Sequence, residues 1–232
     1  MIVSVSKINA FRTCKYKYRL AYIDGVEQEQ SPSLKKGSDV HKALENLSAD
    51  GVLNPIVVNF FKSNIGKKYL NLILTSQHEA CFGLKVKNGV VPCDFDDPDA
   101  FFHGIIDVLS GNTILDYKTG KKKTFEAQDW KQLMFYAAWL FLAHPEYNEV
   151  YISYLYIEHD YENALTVNRV HLNSILKKLL SSVSEIANYT KNPTDEHIVS
   201  PLCDYCGCRK YCRFYNALVS SRLENIQFET PF

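Results

Sequence analysis

The stretch Gly104–Lys123, GIIDVLSGNTILDYKTGKKK, places two runs of strand-forming residues on either side of Ser110-Gly111-Asn112. That composition around a turn signal predicts a β-hairpin. Three charged residues, Asp107, Asp116 and Lys118, stand within it where core side chains would be expected. Side chains alternate faces along a strand, so Asp116 and Lys118 point one way and Leu115 and Tyr117 the other. Closing the hairpin carries Asp107 toward the first face, giving two carboxylates and an ammonium in one cluster. Two chemistries fit such a cluster. One is an ion pair on an exposed strand edge, which contributes little. The other is a site for a hard divalent cation, which takes carboxylate oxygens and completes its shell with water and phosphate. A lysine beside such a cation can orient water or stabilise developing charge.

Around the hairpin the chain reads as alternating helices and strands. Ser4 or Ser6 can cap a helix over about Lys7–Tyr22, with Ile8, Phe11, Tyr18 and Tyr22 on one face. KKGSDVHKALENLSA begins a second helix that lines up Val40, Leu44 and Leu47 with His41 beside them, and a third is expected within 55–75. VVPCDFDDPDA, residues 90–100, reads as a loop. AQDWKQLMFYAAWLFLA is the strongest helix, with Trp130, Leu133, Met134, Ala137 and Phe141 on one stripe and His144-Pro145 at its end. EVYISYLYIE reads as a buried strand and VHLNSILKKLLSSVSEIANYT as an amphipathic helix. Strands enclosed by helices in sequence predict a layered α/β arrangement.

Composition narrows the class. The chain has 232 residues, 46% hydrophobic and 22% charged, enough for one sizeable core. Lys and Arg total 26 and Asp and Glu total 26, so no global basic field marks a nucleic-acid partner. Such binding would rest on local patches. No apolar run has the roughly 20 residues of a membrane span, and the first residues lack signal-peptide order. An intracellular, cytoplasmic protein is expected. Its seven cysteines then read as metal ligands or free thiols rather than disulfides.

Other residues could complete the acidic cluster. His41 can ligate a metal or carry a proton. Gln132 and Tyr136, four apart, share a helix face and suit contacts to phosphate or water, or a place at the rim of the core. In order, GSDVH, GIID, DYK and QLMFY resemble the motifs of the PD-(D/E)XK nuclease superfamily, and within it the RecB-like and CRISPR-associated RecB-like exonucleases. The resemblance implies a restriction-endonuclease-like core, a central mixed sheet flanked by helices. It also implies that His41, Asp107 and Asp116 bind Mg²⁺ or Mn²⁺. Lys118 would position or activate the attacking water, and Gln132 and Tyr136 would support the site and the DNA backbone.

The tail CDYCGCRKYC holds Cys203, Cys206, Cys208 and Cys212, a density that points to bound metal, either tetrahedral Zn²⁺ or an iron–sulfur cluster. One residue between Cys206 and Cys208 is awkward spacing for two ligands of one metal, so three tail ligands and a distant fourth, Cys14, are expected. The same nuclease families carry a [4Fe–4S] cluster on one N-terminal cysteine and a C-terminal C-x-x-C-x-x-x-x-x-C. The resemblance therefore implies Cys14, Cys203, Cys206 and Cys212 as ligands, Cys208 as spare, and Zn²⁺ as the lesser alternative. Cys81 and Cys93 read as ordinary thiols.

One nuclease domain over 1–232 is expected, with a catalytic core over about 30–195 and a cluster lobe from 1–29 and 196–232. The implied activity is metal-dependent DNA exonuclease action on single-stranded ends by metal-activated water, in repair or recombination, CRISPR spacer acquisition or viral DNA metabolism. CKYKYR, CRKYCRFY and KTGKKK are the candidate DNA-contacting patches. The competing reading is a non-catalytic iron–sulfur or zinc DNA-binding subunit of a larger DNA-processing complex.

Overall fold

A computed structural model describes residues 1–227 of the chain. The chain divides into two compact units, one from residues 1–4 and 32–183 and the other from residues 5–31 and 184 onward.

The first unit is built on a six-stranded sheet in the order β2-β1-β3-β4-β5-β6. Its strands are β1 (Gln77–Val86), β2 (Val90–Cys93), β3 (Ala100–Ser110), β4 (Thr113–Lys118), β5 (Glu149–Tyr156) and β6 (Tyr161–Asn168). The expected hairpin is β3–β4, with Ser110 opposite Thr113 and Gly111 at φ +54 in the turn between them. Glycine adopts that left-handed conformation without a Cβ clash. β4 and β5 run parallel, which demands a crossover. The helix α6 (Lys131–Ala143) provides it.

Helices cover both faces of the sheet. α3 (Pro32–Asp50) and α5 (Asn64–Thr75) bring Val40, Leu44, Tyr69 and Ile73 against Val108, Leu115, Tyr117 and Leu155 in one buried cluster. A short helix, α4 (Val58–Lys62), adds Phe60 to it. Strand alternation turns Asp116 and Lys118 away from that cluster and toward α6. There Trp139 stacks on Phe82 at 4.5 Å between ring centroids, and Tyr136 meets Phe82 edge-on at 5.3 Å.

Gly104 makes this packing possible. A Cβ there would lie 2.7 Å from both the Phe82 and Tyr136 rings. Gly104→Ala is expected to cost roughly 1–3 kcal/mol of stability through overpacking, read as a lowered midpoint in chemical unfolding. An unchanged midpoint would show that the rings yield freely.

Several sequence expectations are corrected. Residues 90–93 lie in β2, not in a loop, and β1 and β6 flank the expected strands. Trp130 stands before α6, and of the expected stripe Leu133, Ala137 and Phe141 are buried and Met134 half-buried, while Phe135, Tyr136, Ala138 and Leu140 are buried as well. The helix is enclosed on more than one side, so a single stripe understates its burial.

The second unit joins the N-terminal helices to the C-terminal segment. The expected helix over 7–22 is broken into α1 (Val5–Thr13) and α2 (Lys15–Tyr22), because Cys14 takes extended backbone and its sulfur caps α2 by accepting from Lys17 N at 3.5 Å. Tyr16 N donates to Glu196 O at 2.8 Å, and Glu29 N donates to Gly207 O at 2.9 Å. Arg19 pairs with Asp195 at 2.9 Å and Lys15 with Glu196 at 2.7 Å. Helix α7 (Leu172–Lys191) leads into this unit and α8 (Arg213–Gln227) follows its cysteines. Among the described residues no helix is long and apolar enough to cross a membrane.

Candidate active site

The site lies where the β3–β4 ladder ends. The two strands pair from Val108–Leu115 to Ser110–Thr113. Beyond that the Tyr117 N–H is satisfied by a side chain instead, donating to Asp107 Oδ2 at 2.7 Å. Asp107 is thereby anchored through Oδ2, and its other oxygen faces His41. Across the β1–β3 ladder His78 faces Val108 and Ala80 faces Ile106, and between them Glu79 adopts φ +49. That left-handed residue in a strand is costly for glutamate, and such strain clusters at functional sites.

His41, on α3, lies 3.4 Å through Nδ1 from Asp107 Oδ1, and its Nε2 is 3.3 Å from Tyr117 O. Its ring meets Tyr117 edge-on at 5.7 Å. One ligand atom each from His41, Glu79 and Asp107 falls within 4.8 Å of the others. An imidazole and two carboxylates so gathered suit a divalent cation. Burial works to lower the His41 pKa, but the Asp107 hydrogen bond and the charges of Asp107 and Asp116 overcome it and raise it to about 9. Burial beside Asp107 also raises the Glu79 carboxyl. This is a centre short of positive charge.

Asp116, Lys118 and Gln132 form a second group. Gln132 Nε2 donates to Asp116 Oδ1 at 2.6 Å. Asp116 Oδ2 makes no well-angled hydrogen bond but lies 2.5 Å from Lys118 Nζ. Lys118 reaches Gln132 Oε1 at 3.5 Å and sits 4.9 Å over the Tyr154 ring. Burial and the neighbouring Asp107 lift the Asp116 pKa to about 6 against the pull of Lys118. Burial opposes the Lys118 charge, yet Asp116 more than offsets this and holds its pKa above the ordinary value. Tyr136 is 6% exposed and packed on Phe82.

Matching against family models finds the PD-(D/E)XK nuclease superfamily over residues 2–213. The chain belongs to the PD-(D/E)XK nuclease superfamily. Nucleases of this superfamily use divalent metals, and the His41–Glu79–Asp107 group gives this member donors of the right kind. No curated protein matches the chain. Among solved structures, a proposed exonuclease from Eubacterium rectale is 15% identical, with 90% of this chain and 87% of that one covered at a TM-score of 0.57. The protein SSO0001 is 14% identical over 92% and 86%, at 0.47. At such identity the likeness to the first shows the shared fold.

In this nuclease, His41 lies 3.4 Å from Asp107, and Asp116 contacts Lys118 and Gln132 while its charge also acts on His41. Glu79 was not anticipated. No motif marks it, because its proximity to Asp107 comes from β1–β3 pairing. A cleft beside the centre is lined by Ser33, Gly37, His41, Glu45, Glu79 and Thr119.

In the second unit, Cys14, Cys203, Cys206, Cys208 and Cys212 all line one cavity of about 290 Å³, and none is in a disulfide. Tyr16 and Leu20 pack against the buried Cys208. The Cys206 and Cys208 sulfurs are hydrogen-bonded to each other, which lowers the Cys206 thiol pKa and raises that of Cys208. Cys81 is exposed, Cys93 lies in β2, and neither lines this cavity.

Proposed function

We propose that the protein is a metal-dependent DNA exonuclease acting on single-stranded ends. The observation that carries this reading is the approach of His41, Glu79 and Asp107 to within 4.8 Å beside the Asp116–Lys118–Gln132 group. His41, Glu79 and Asp107 would hold the divalent cation, with Asp116 as the adjoining carboxylate. Such a cation neutralises phosphate charge and makes water more acidic. The chain's own residues do the positioning. Tyr117 N–H fixes Asp107, and Gln132 fixes one oxygen of Asp116. Lys118, held protonated over the Tyr154 ring, would offer positive charge to the phosphate as negative charge develops on it.

In the second unit we read a [4Fe–4S] cluster on Cys14, Cys203, Cys206 and Cys212 as a structural group. What supports it is that Cys14, remote in sequence from the other three, lines the same cavity as they do. Cys208 is fully buried against Tyr16 and Leu20, which fits a packed thiol left over from the ligand set.

The test is incubation of the purified protein with 5′- and 3′-labelled strands in Mg²⁺ and in Mn²⁺. Metal-dependent release of short products from linear single strands is expected. Tight binding without turnover in either metal would instead support the non-catalytic subunit. In the same preparation, iron with inorganic sulfide and visible absorption that bleaches on reduction would support the cluster, and colourless protein with bound zinc would overturn it.

A further inference from the structure

The segment between Lys118 and α6, residues 119–130, has no helix or strand of its own, yet side chains of β5 and β6 anchor it at several points. Asn163, 2% exposed, donates from Nδ2 to Lys123 O at 3.0 Å and to Gln128 Oε1 at 3.2 Å. Tyr156 OH donates to the same Gln128 oxygen at 2.6 Å, and Tyr154 OH donates to Asp129 O at 3.0 Å. Gln128 N donates to Phe125 O at 3.3 Å and closes a turn. A buried asparagine spent on a surface loop shows that the loop's conformation matters.

This fixed loop presents an unusual surface. Phe125 is 48% exposed, with its ring 5.2 Å from that of Trp130. Lys121, Lys122 and Lys123 are exposed beside it, against Glu126 and an Asp129 that is paired with Lys131 at 3.3 Å. Lys122 lies 5.4 Å over the Tyr161 ring. The segment begins directly after Lys118 and ends two residues before Gln132, so it is continuous with both catalytic strand and catalytic helix.

We propose that this loop is the platform for the single-stranded end of the substrate: Phe125 stacks on a base, and Lys121–Lys123 hold the adjoining phosphates. Aromatic faces with flanking cations bind single strands without sequence preference, because every base offers a π-face. Bases inside a duplex are stacked on both faces and only the outer face of a terminal pair is open, whereas every unpaired base can turn a face to Phe125, so the platform would favour unpaired ends. Asn163 and Gln128 are positioning residues that hold it.

The inference rests on the nuclease reading of the adjoining site, but its test is independent of turnover. Binding of the full chain to a fluorescent oligothymidylate is measured without added divalent metal, over a range of salt concentrations. Phe125→Ala and Phe125→Leu are expected to weaken binding roughly 5-fold or more, and Phe125→Trp to retain it. Phe125 is exposed, so these variants keep the fold. Replacing Lys121 and Lys123 by alanine should reduce the salt slope by roughly 0.7 for each phosphate no longer neutralised. Oligothymidylate should also quench Trp130 fluorescence, with Trp139 as the other source. Equal binding by wild type and all Phe125 variants would overturn the platform while leaving the nuclease reading standing. Failure of the wild type to cleave in either metal would strike the nuclease reading instead.

Discussion

Lys118→Ala is expected to slow phosphodiester hydrolysis by roughly 10²–10³-fold, the scale of losing one preorganised electrostatic donor. The ammonium is held from three sides: 2.5 Å from Asp116 Oδ2, 3.5 Å from Gln132 Oε1 and 4.9 Å above the Tyr154 ring. Removing it leaves Asp116, 3% exposed, beside Asp107 with its main counter-charge gone. A carboxyl already raised to about 6 with Lys118 present then rises further. The variant therefore loses the cation and, with it, the main charge that favours ionisation of its neighbour. Lys118→Arg should not restore the rate, since a planar guanidinium does not reproduce a compact ammonium. The measurement is single-turnover cleavage in saturating Mn²⁺, with circular dichroism to confirm folding. A rate within a few-fold of wild type would remove Lys118 from the chemistry.

Asp107 carries three duties, so its loss has the widest expected effect. It approaches Glu79 as a prospective ligand, faces His41 at 3.4 Å and accepts the Tyr117 N–H at 2.7 Å. Asp107→Ala should reduce cleavage at least as much as Lys118→Ala does, and it strands a buried backbone donor at a cost of about 1–3 kcal/mol. Asp107→Asn separates the duties. Its amide oxygen can still accept from Tyr117, so stability should recover, while the lost charge keeps activity low. Thermal unfolding and cleavage of the two variants are the paired readouts. If Asp107→Asn regains activity along with stability, the residue is structural.

The parts of this arrangement that could be read from sequence are local ones. The β3–β4 hairpin follows from apolar runs around Ser110-Gly111-Asn112, and α6 from a long apolar segment ended by Pro145. Asp107, Asp116 and Lys118 stood out because charge in a strand demands a reason. What escaped reading depends on partners far along the chain. Glu79 acquires meaning only when β1 pairs with β3. β6 buries few of its residues, so its composition is too polar for a periodicity signal. The β1–β2 hairpin did carry a signal, Asn88-Gly89, with both residues at positive φ, but Pro92 and the acidic run after it read as loop. The break at Cys14 was masked because apolar spacing continues from Phe11 to Tyr18 across it. The sulfur's capping role belongs to the folded geometry.

The most direct test is titration of Mn²⁺ into the protein, followed by calorimetry or electron paramagnetic resonance, with Glu79→Gln and Asp107→Asn in parallel. The residues described predict saturable binding at a centre that both substitutions weaken strongly, Glu79 included although it lies in no recognised motif. Undiminished Mn²⁺ binding by both variants would contradict a metal centre at His41, Glu79 and Asp107.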